Sequence, residues 1–145
     1  MMRTATAAIL AVLMGSAAAS AQVAPPPASQ AIISHVQTVG DLAAVCDPAW
    51  TGLPRLEAIA YCQGFLTGAG QYHTLLHPRN SPTRPLFCVP SPGPTIAQSG
   101  LAFAAWSREN PSRSNEPALD GLLRWAQASF PCPPAASPRA PRAAR

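Results

Sequence analysis

Leu53-Pro54-Arg55-Leu56-Glu57-Ala58-Ile59-Ala60-Tyr61-Cys62-Gln63-Gly64-Phe65-Leu66-Thr67-Gly68-Ala69-Gly70-Gln71-Tyr72-His73-Thr74-Leu75-Leu76 is the stretch whose reading decides the fold. Leu56, Ile59, Cys62, Leu66, Ala69 and Tyr72 recur at threes and fours, the period of an α-helix. Pro54 is tolerated in a first helical turn, and Pro78 forces an end near Leu76. Ala60, Gly64 and Gly68 form a second stripe, four residues apart. Each interior glycine costs a helix roughly 1 kcal/mol, so the stripe predicts close approach of another helix. A membrane-dimerising span would show the same stripe, but Arg55, Glu57 and Gln63 interrupt this one.

Three more helices follow from their punctuation. Thr38 with Asp41 is a variant capping box that opens a helix over Val39 to Cys46, broken by Asp47-Pro48 and Thr51-Gly52. Thr95 with Gln98 is a full capping box, opening a helix from Ile96 to Glu109 before Asn110-Pro111. The last helix runs from Pro117 to Phe130, with Leu119, Leu122, Leu123, Ala126 and Phe130 as its apolar face and an expected Asp120–Arg124 pair opposite. No run alternates as a strand would. The fold class is therefore all-α, a small four-helix domain. Trp106 and Trp125 lie off the main stripes, either widening the core or forming an interface.

Outward from these helices the chain changes character. Arg3, an apolar run from Ala5 to Ala19, and Ala19-Ser20-Ala21 read as a secretory signal peptide over residues 1–21. Residues 22–37, with Pro25-Pro26-Pro27, read as an unstructured linker, and 133–145 as a Pro/Ala/Arg tail. The folded part is thus residues 38–132. Within 78–94, six prolines in seventeen positions exclude a helix or a central strand. That leaves a long, stiff, exposed connection of the kind that often carries function.

Four cysteines, Cys46, Cys62, Cys88 and Cys132, fall in the folded part. An even count in a small exported domain predicts two disulfides, and four cysteines allow three pairings. The short turn between the last two helices makes them antiparallel neighbours. This sets Cys88, before one, beside Cys132, after the other. Cys46–Cys62 follows by elimination. Neither a C-x2-C pair nor C-x-x-C-H occurs, so a zinc ribbon and covalent haem are excluded.

The formal charge of +4 is carried by the ends. Between 38 and 132, six arginines meet six carboxylates and no lysine occurs, which is no footprint for nucleic acid. His73 and His77 are i,i+4, a zinc-compatible spacing, but no third ligand accompanies them. They read instead as cations at a helix C-terminus. There is no G-x-S-x-G and no phosphate-binding glycine loop. The sequence predicts no enzyme and neither cofactor nor metal. It predicts a protein partner, with Tyr72, His73, His77, Arg79 and Arg84 as candidate contacts and no membrane association after signal cleavage.

Several short elements share one order. Cys62-Gln63-Gly64-Phe65 with Gly68 resembles the C-x-G-[YF]-x-x-G signature of the Rap/Tai immunity proteins. Phe87-Cys88-Val89-Pro90 resembles their second Cys-x-Pro element, Asn110-Pro111 their last turn, and Phe130-Pro131-Cys132 their terminal Pro-Cys, while Cys46 matches the cysteine on their first helix. The resemblance spans about residues 38–132. It implies a periplasmic all-helical protein, often paired as a homodimer, that plugs the cleft of a peptidoglycan amidase delivered by type VI secretion. The family's toxin contacts vary, so none is carried over. The 78–94 loop, with Arg79 and Arg84, departs from the pattern. Two rival expectations are a small helical acid-stress chaperone and an envelope-associated binding domain.

Overall fold

A computed structural model describes residues 27–78 and 81–134. The expected signal peptide and most of the C-terminal tail lie outside the described residues. Five α-helices are present, with no strand among the described residues: α1 (Pro27–Ser34), α2 (Val39–Cys46), α3 (Gly52–Leu76), α4 (Ile96–Glu109) and α5 (Ala118–Ser129). α2 to α5 are the four expected, within a residue or two of their predicted ends.

α1 lies in the segment expected to be a linker. Pro27 occupies its first position, where a fixed φ suits a helix and the missing N–H costs nothing. Ile32, Ile33 and Val36 then give the segment enough apolar surface to pack on the core. The run of prolines masked this short patch.

Both capping boxes form. The Thr38 hydroxyl oxygen accepts the Asp41 amide at 3.2 Å, and Asp41 Oδ2 accepts the Thr38 amide at 3.0 Å. Thr95 and Gln98 exchange the same pair of bonds at 3.1 and 2.8 Å. The remaining free donors of α2 turn outward to the α4–α5 connection, a single 3-10 turn at Pro111–Arg113 and the residues after it. Val39 donates to the Glu116 carbonyl and Gly40 to that of Ser114, both at 2.9 Å, while Ala118 donates to the Gln37 carbonyl at 2.8 Å. These bonds answer the unpaired donors that a helix start leaves.

The core is built around α2. Its Val39, Leu42 and Val45 are fully buried, as is Phe103 of α4. α2 packs along α3, α4 and α5, more extensively on α4 than α4 does on α5. The predicted α4–α5 hairpin exists and is joined by Phe103 and Trp125, centroids 5.9 Å apart and edge to face. Trp125 is buried and Trp106 half-buried against the core, so both widen it. Close approach is met at two glycines. A Cβ on Gly121 would lie 2.1 Å from Val39 Cγ2, and one on Gly100 would lie 2.9 Å from Cys62 Sγ.

The disulfides are Cys46–Cys62 and Cys88–Cys132, with Cα atoms 5.0 and 4.8 Å apart, as the hairpin argument requires. The first ties α2 to α3 inside the core. The second closes the open end of the α4–α5 hairpin, beside a Cys88 amide bonded to the Phe130 carbonyl at 2.8 Å. One expected surface pair is absent. Arg124 turns to Glu116 at 3.5 Å rather than to Asp120, and shares that glutamate with Arg113, which holds it at 2.8 Å.

Candidate functional site

α3 is 25 residues long, about 37 Å, and only one side of it is used. Ala58, Cys62 and Leu66 face the core. Leu56 and Tyr72, read as members of the apolar stripe, are 64% and 59% exposed. Leu53, Leu75 and Leu76 are also exposed. The small-residue stripe has no neighbour: an added Cβ at Gly64 or Gly68 would meet nothing within 4 Å. The expected close helix is therefore not supplied by the described residues. The α2 and α4 helices occupy the opposite side, where the disulfide holds α3. Two glycines cost this helix roughly 2 kcal/mol, and the packing within the chain does not offset it.

Towards the C-terminal end of α3 the surface becomes concave. Phe65, Gly68, Ala69, Tyr72 and Leu76 of α3 form one wall, Leu119 and Leu123 of α5 another, and Leu86 of the proline-rich loop a third. This groove is apolar, with a volume of about 340 Å³. His73 and His77 stand at its edge and separate it from a wider recess of about 640 Å³ that reaches Phe87, Val89 and Ile96.

The histidines fasten the loop. The Leu86 amide donates to His73 Nε2 at 3.1 Å, and the His73 ring stacks on Phe87 with centroids 4.0 Å apart. His77 Nδ1 lies 3.3 Å from the Thr83 hydroxyl, and the two imidazoles are 4.8 Å apart. Burial, helped by the nearby His77, lowers the His73 pKa from its ordinary value of 6.5. Among the described residues no three His, Cys, Asp or Glu side chains gather as a metal site would need.

Of the sequence-predicted contacts, Tyr72, His73 and His77 come together on this groove. Arg84 does not join them, since its guanidinium donates to the Pro133 carbonyl. Arg79 lies outside the described residues. Of the motif residues, Phe65 and Gly68 line the groove and Gly64 lies one turn before it. Pro90 sits two residues after Cys88, and Pro131 immediately before Cys132. The sequence reading missed the leucines of the rim. Leu119 was placed on the core face of α5, yet it is 43% exposed, and Leu86 is 46% exposed. The available signal was the width of the apolar set on α3, since Leu53, Leu56, Leu66, Tyr72, Leu75 and Leu76 lie all round the helix and one core-facing stripe cannot take them all.

These features define a class: a small, disulfide-braced helical domain with an exposed apolar groove beside one long helix. The model of the Rap1a immunity proteins matches residues 38–132, and the chain belongs to that family. Immunity proteins act by binding a secreted effector rather than by turnover. No curated protein and no solved structure matches the chain. Its two disulfides are those of a protein kept outside the reducing cytoplasm. Among the described residues no helix is long and apolar enough to cross a membrane.

Proposed function

We propose that the chain, once a signal peptide at 1–21 is removed, is a periplasmic immunity protein that binds and inhibits a peptidoglycan amidase effector of type VI secretion. It does so by occlusion, with no cofactor and no chemistry of its own. The observation that carries this reading is the unused face of α3. The glycines of the family motif, Gly64 and Gly68, have no neighbour within the chain, and they lead into an apolar groove rimmed by leucines. Small residues let a partner's backbone approach closely; Tyr72 is an aromatic anchor of the kind that dominates binding energy, and the leucines around it add apolar area.

The groove takes the effector. A different side of α3, turned well away from the groove around the helix axis and carrying exposed Leu53, Leu56 and Ala60, pairs two copies of the chain. Sedimentation of the mature protein tests the pairing: Leu56→Arg should shift a dimer to a monomer without changing its helical signal.

Periplasmic co-expression with a candidate peptidoglycan amidase tests the main reading. Lysis should be suppressed by the wild type and restored by Leu76→Arg with Leu119→Arg. Lysis that proceeds unchanged, with no amidase recovered on the immobilised protein, would remove the reading. General protection of unrelated unfolded proteins would favour the chaperone alternative instead.

A further inference from the structure

The proline-rich loop is held to α3 by a bond that depends on which way a proton is placed. His73 Nε2 accepts the Leu86 amide at 3.1 Å, so the neutral ring carries its hydrogen on Nδ1. A second proton on Nε2 would set one N–H against another. Leu86 is also the loop's contribution to the wall of the 340 Å³ groove. We propose that the Leu86–His73 contact is a proton-released latch, closed at neutral pH and open in acid, that sets how far the groove between α3 and α5 is exposed. It concerns the free chain and stands whether or not an amidase is the partner.

The surroundings of His73 favour the neutral ring. On its own helix the titratable neighbour is His77, with centroids 4.8 Å apart, so a first charge opposes a second. The loop presents Leu86 and Phe87. Its one charged side chain among the described residues, Arg84, is turned to the Pro133 carbonyl. α5 presents Leu119 and Leu123 to the groove, and α4 presents Ile96 to the recess; Asp120 and Arg124 line neither. Among the described residues no carboxylate is therefore at hand to stabilise an imidazolium. Burial, and then the nearby His77, act against the charged ring and lower the pKa, while stacking on Phe87 is the one contact that would favour the charge.

The sign follows. A histidine whose folded pKa is depressed holds its contact fully above the ordinary value of 6.5, and the contact weakens as pH falls below it. The other end of the loop does not titrate, since Cys88 is fixed by its disulfide and by the Phe130 carbonyl. Opening is thus a local swing at Leu86 and Phe87, not unfolding.

Amide hydrogen exchange by NMR on the oxidised mature protein tests this, with rates corrected for the intrinsic effect of pH. Between pH 7.5 and 5.0, protection of the Leu86 amide should fall about five-fold, the ratio one ordinary hydrogen bond is worth. Its midpoint should coincide with the His73 titration and lie below 6.5. In His77→Gln both midpoints should rise together. In His73→Gln, which keeps an acceptor but cannot titrate, Leu86 protection should be flat with pH. Three results would overturn the latch: unchanged protection in the wild type, an equal fall in His73→Gln, or a parallel fall at the Cys88 amide, which would mean general loosening.

Discussion

The half of the molecule around α2 and the half around the C-terminal end of α3 use the same residue types to opposite ends. Around α2, Gly121 and Gly100 sit where a Cβ would strike Val39 or the Cys62 sulfur, and Val39, Leu42, Val45 and Phe103 are fully buried. On α3, Gly64 and Gly68 face open space, and Leu75 and Leu76 are 74% and 51% exposed. Glycine and leucine spent on packing stabilise the domain. On α3 the unpartnered glycines cost helix stability and the exposed leucines add no burial, so this half is open to a partner without having one inside the described residues.

Replacing both Cys88 and Cys132 by Ser should have the largest effect, because the bridge closes a 44-residue separation at the foot of the loop. Denaturant unfolding should show a loss of about 4 kcal/mol. Next, Gly121→Ala should cost about 2 kcal/mol by overpacking against Val39, read in the same way. If this variant proves neutral, the α2 half is not packed as described.

Gly64→Ala and Gly68→Ala should do the reverse, each raising stability by up to about 1 kcal/mol while weakening partner binding at least ten-fold by calorimetry. Stabilisation with unchanged binding would show that the glycine face is not the docking surface.

Thr38→Ala should cost about 1 kcal/mol through its lost cap. The partner in that cap carries a pH signature. Burial acts to raise the Asp41 pKa, but hydrogen bonds from the Thr38 amide and hydroxyl and from the Gln37 amide outweigh it and lower it from 3.8. The resulting stability is present above pH 3.8 and is lost as pH falls through the depressed value. Asp41→Asn should flatten that acid limb of the stability profile and leave the neutral region near the Thr38→Ala level.

Most of the α2 half was legible in the sequence, because its determinants are local. Thr38 with Asp41 and Thr95 with Gln98 are readable caps, and a short turn places Cys88 beside Cys132. The α3 surface was legible only in part. Helical period shows that Leu56, Leu66 and Tyr72 share a helix, but how many neighbours surround it is a tertiary fact, and α3 has them on one side only. For the same reason Gly64 and Gly68 announced close packing without saying whether the second body was inside the chain. The groove needed Leu86, Leu119 and Leu123 from two further elements, which no spacing in α3 could reveal. α1 was hidden by composition, since Ile32 and Ile33 matter only once a core exists to receive them.

The central claim is that this surface neutralises an effector by covering it, and titrating the purified amidase with the mature protein tests it most directly. Peptidoglycan cleavage should fall linearly to zero at one chain per amidase, with or without a chelator, and Leu76→Arg with Leu119→Arg should abolish the inhibition while keeping the helical signal. Undiminished cleavage at saturating protein, or equal inhibition by the double variant, would contradict it.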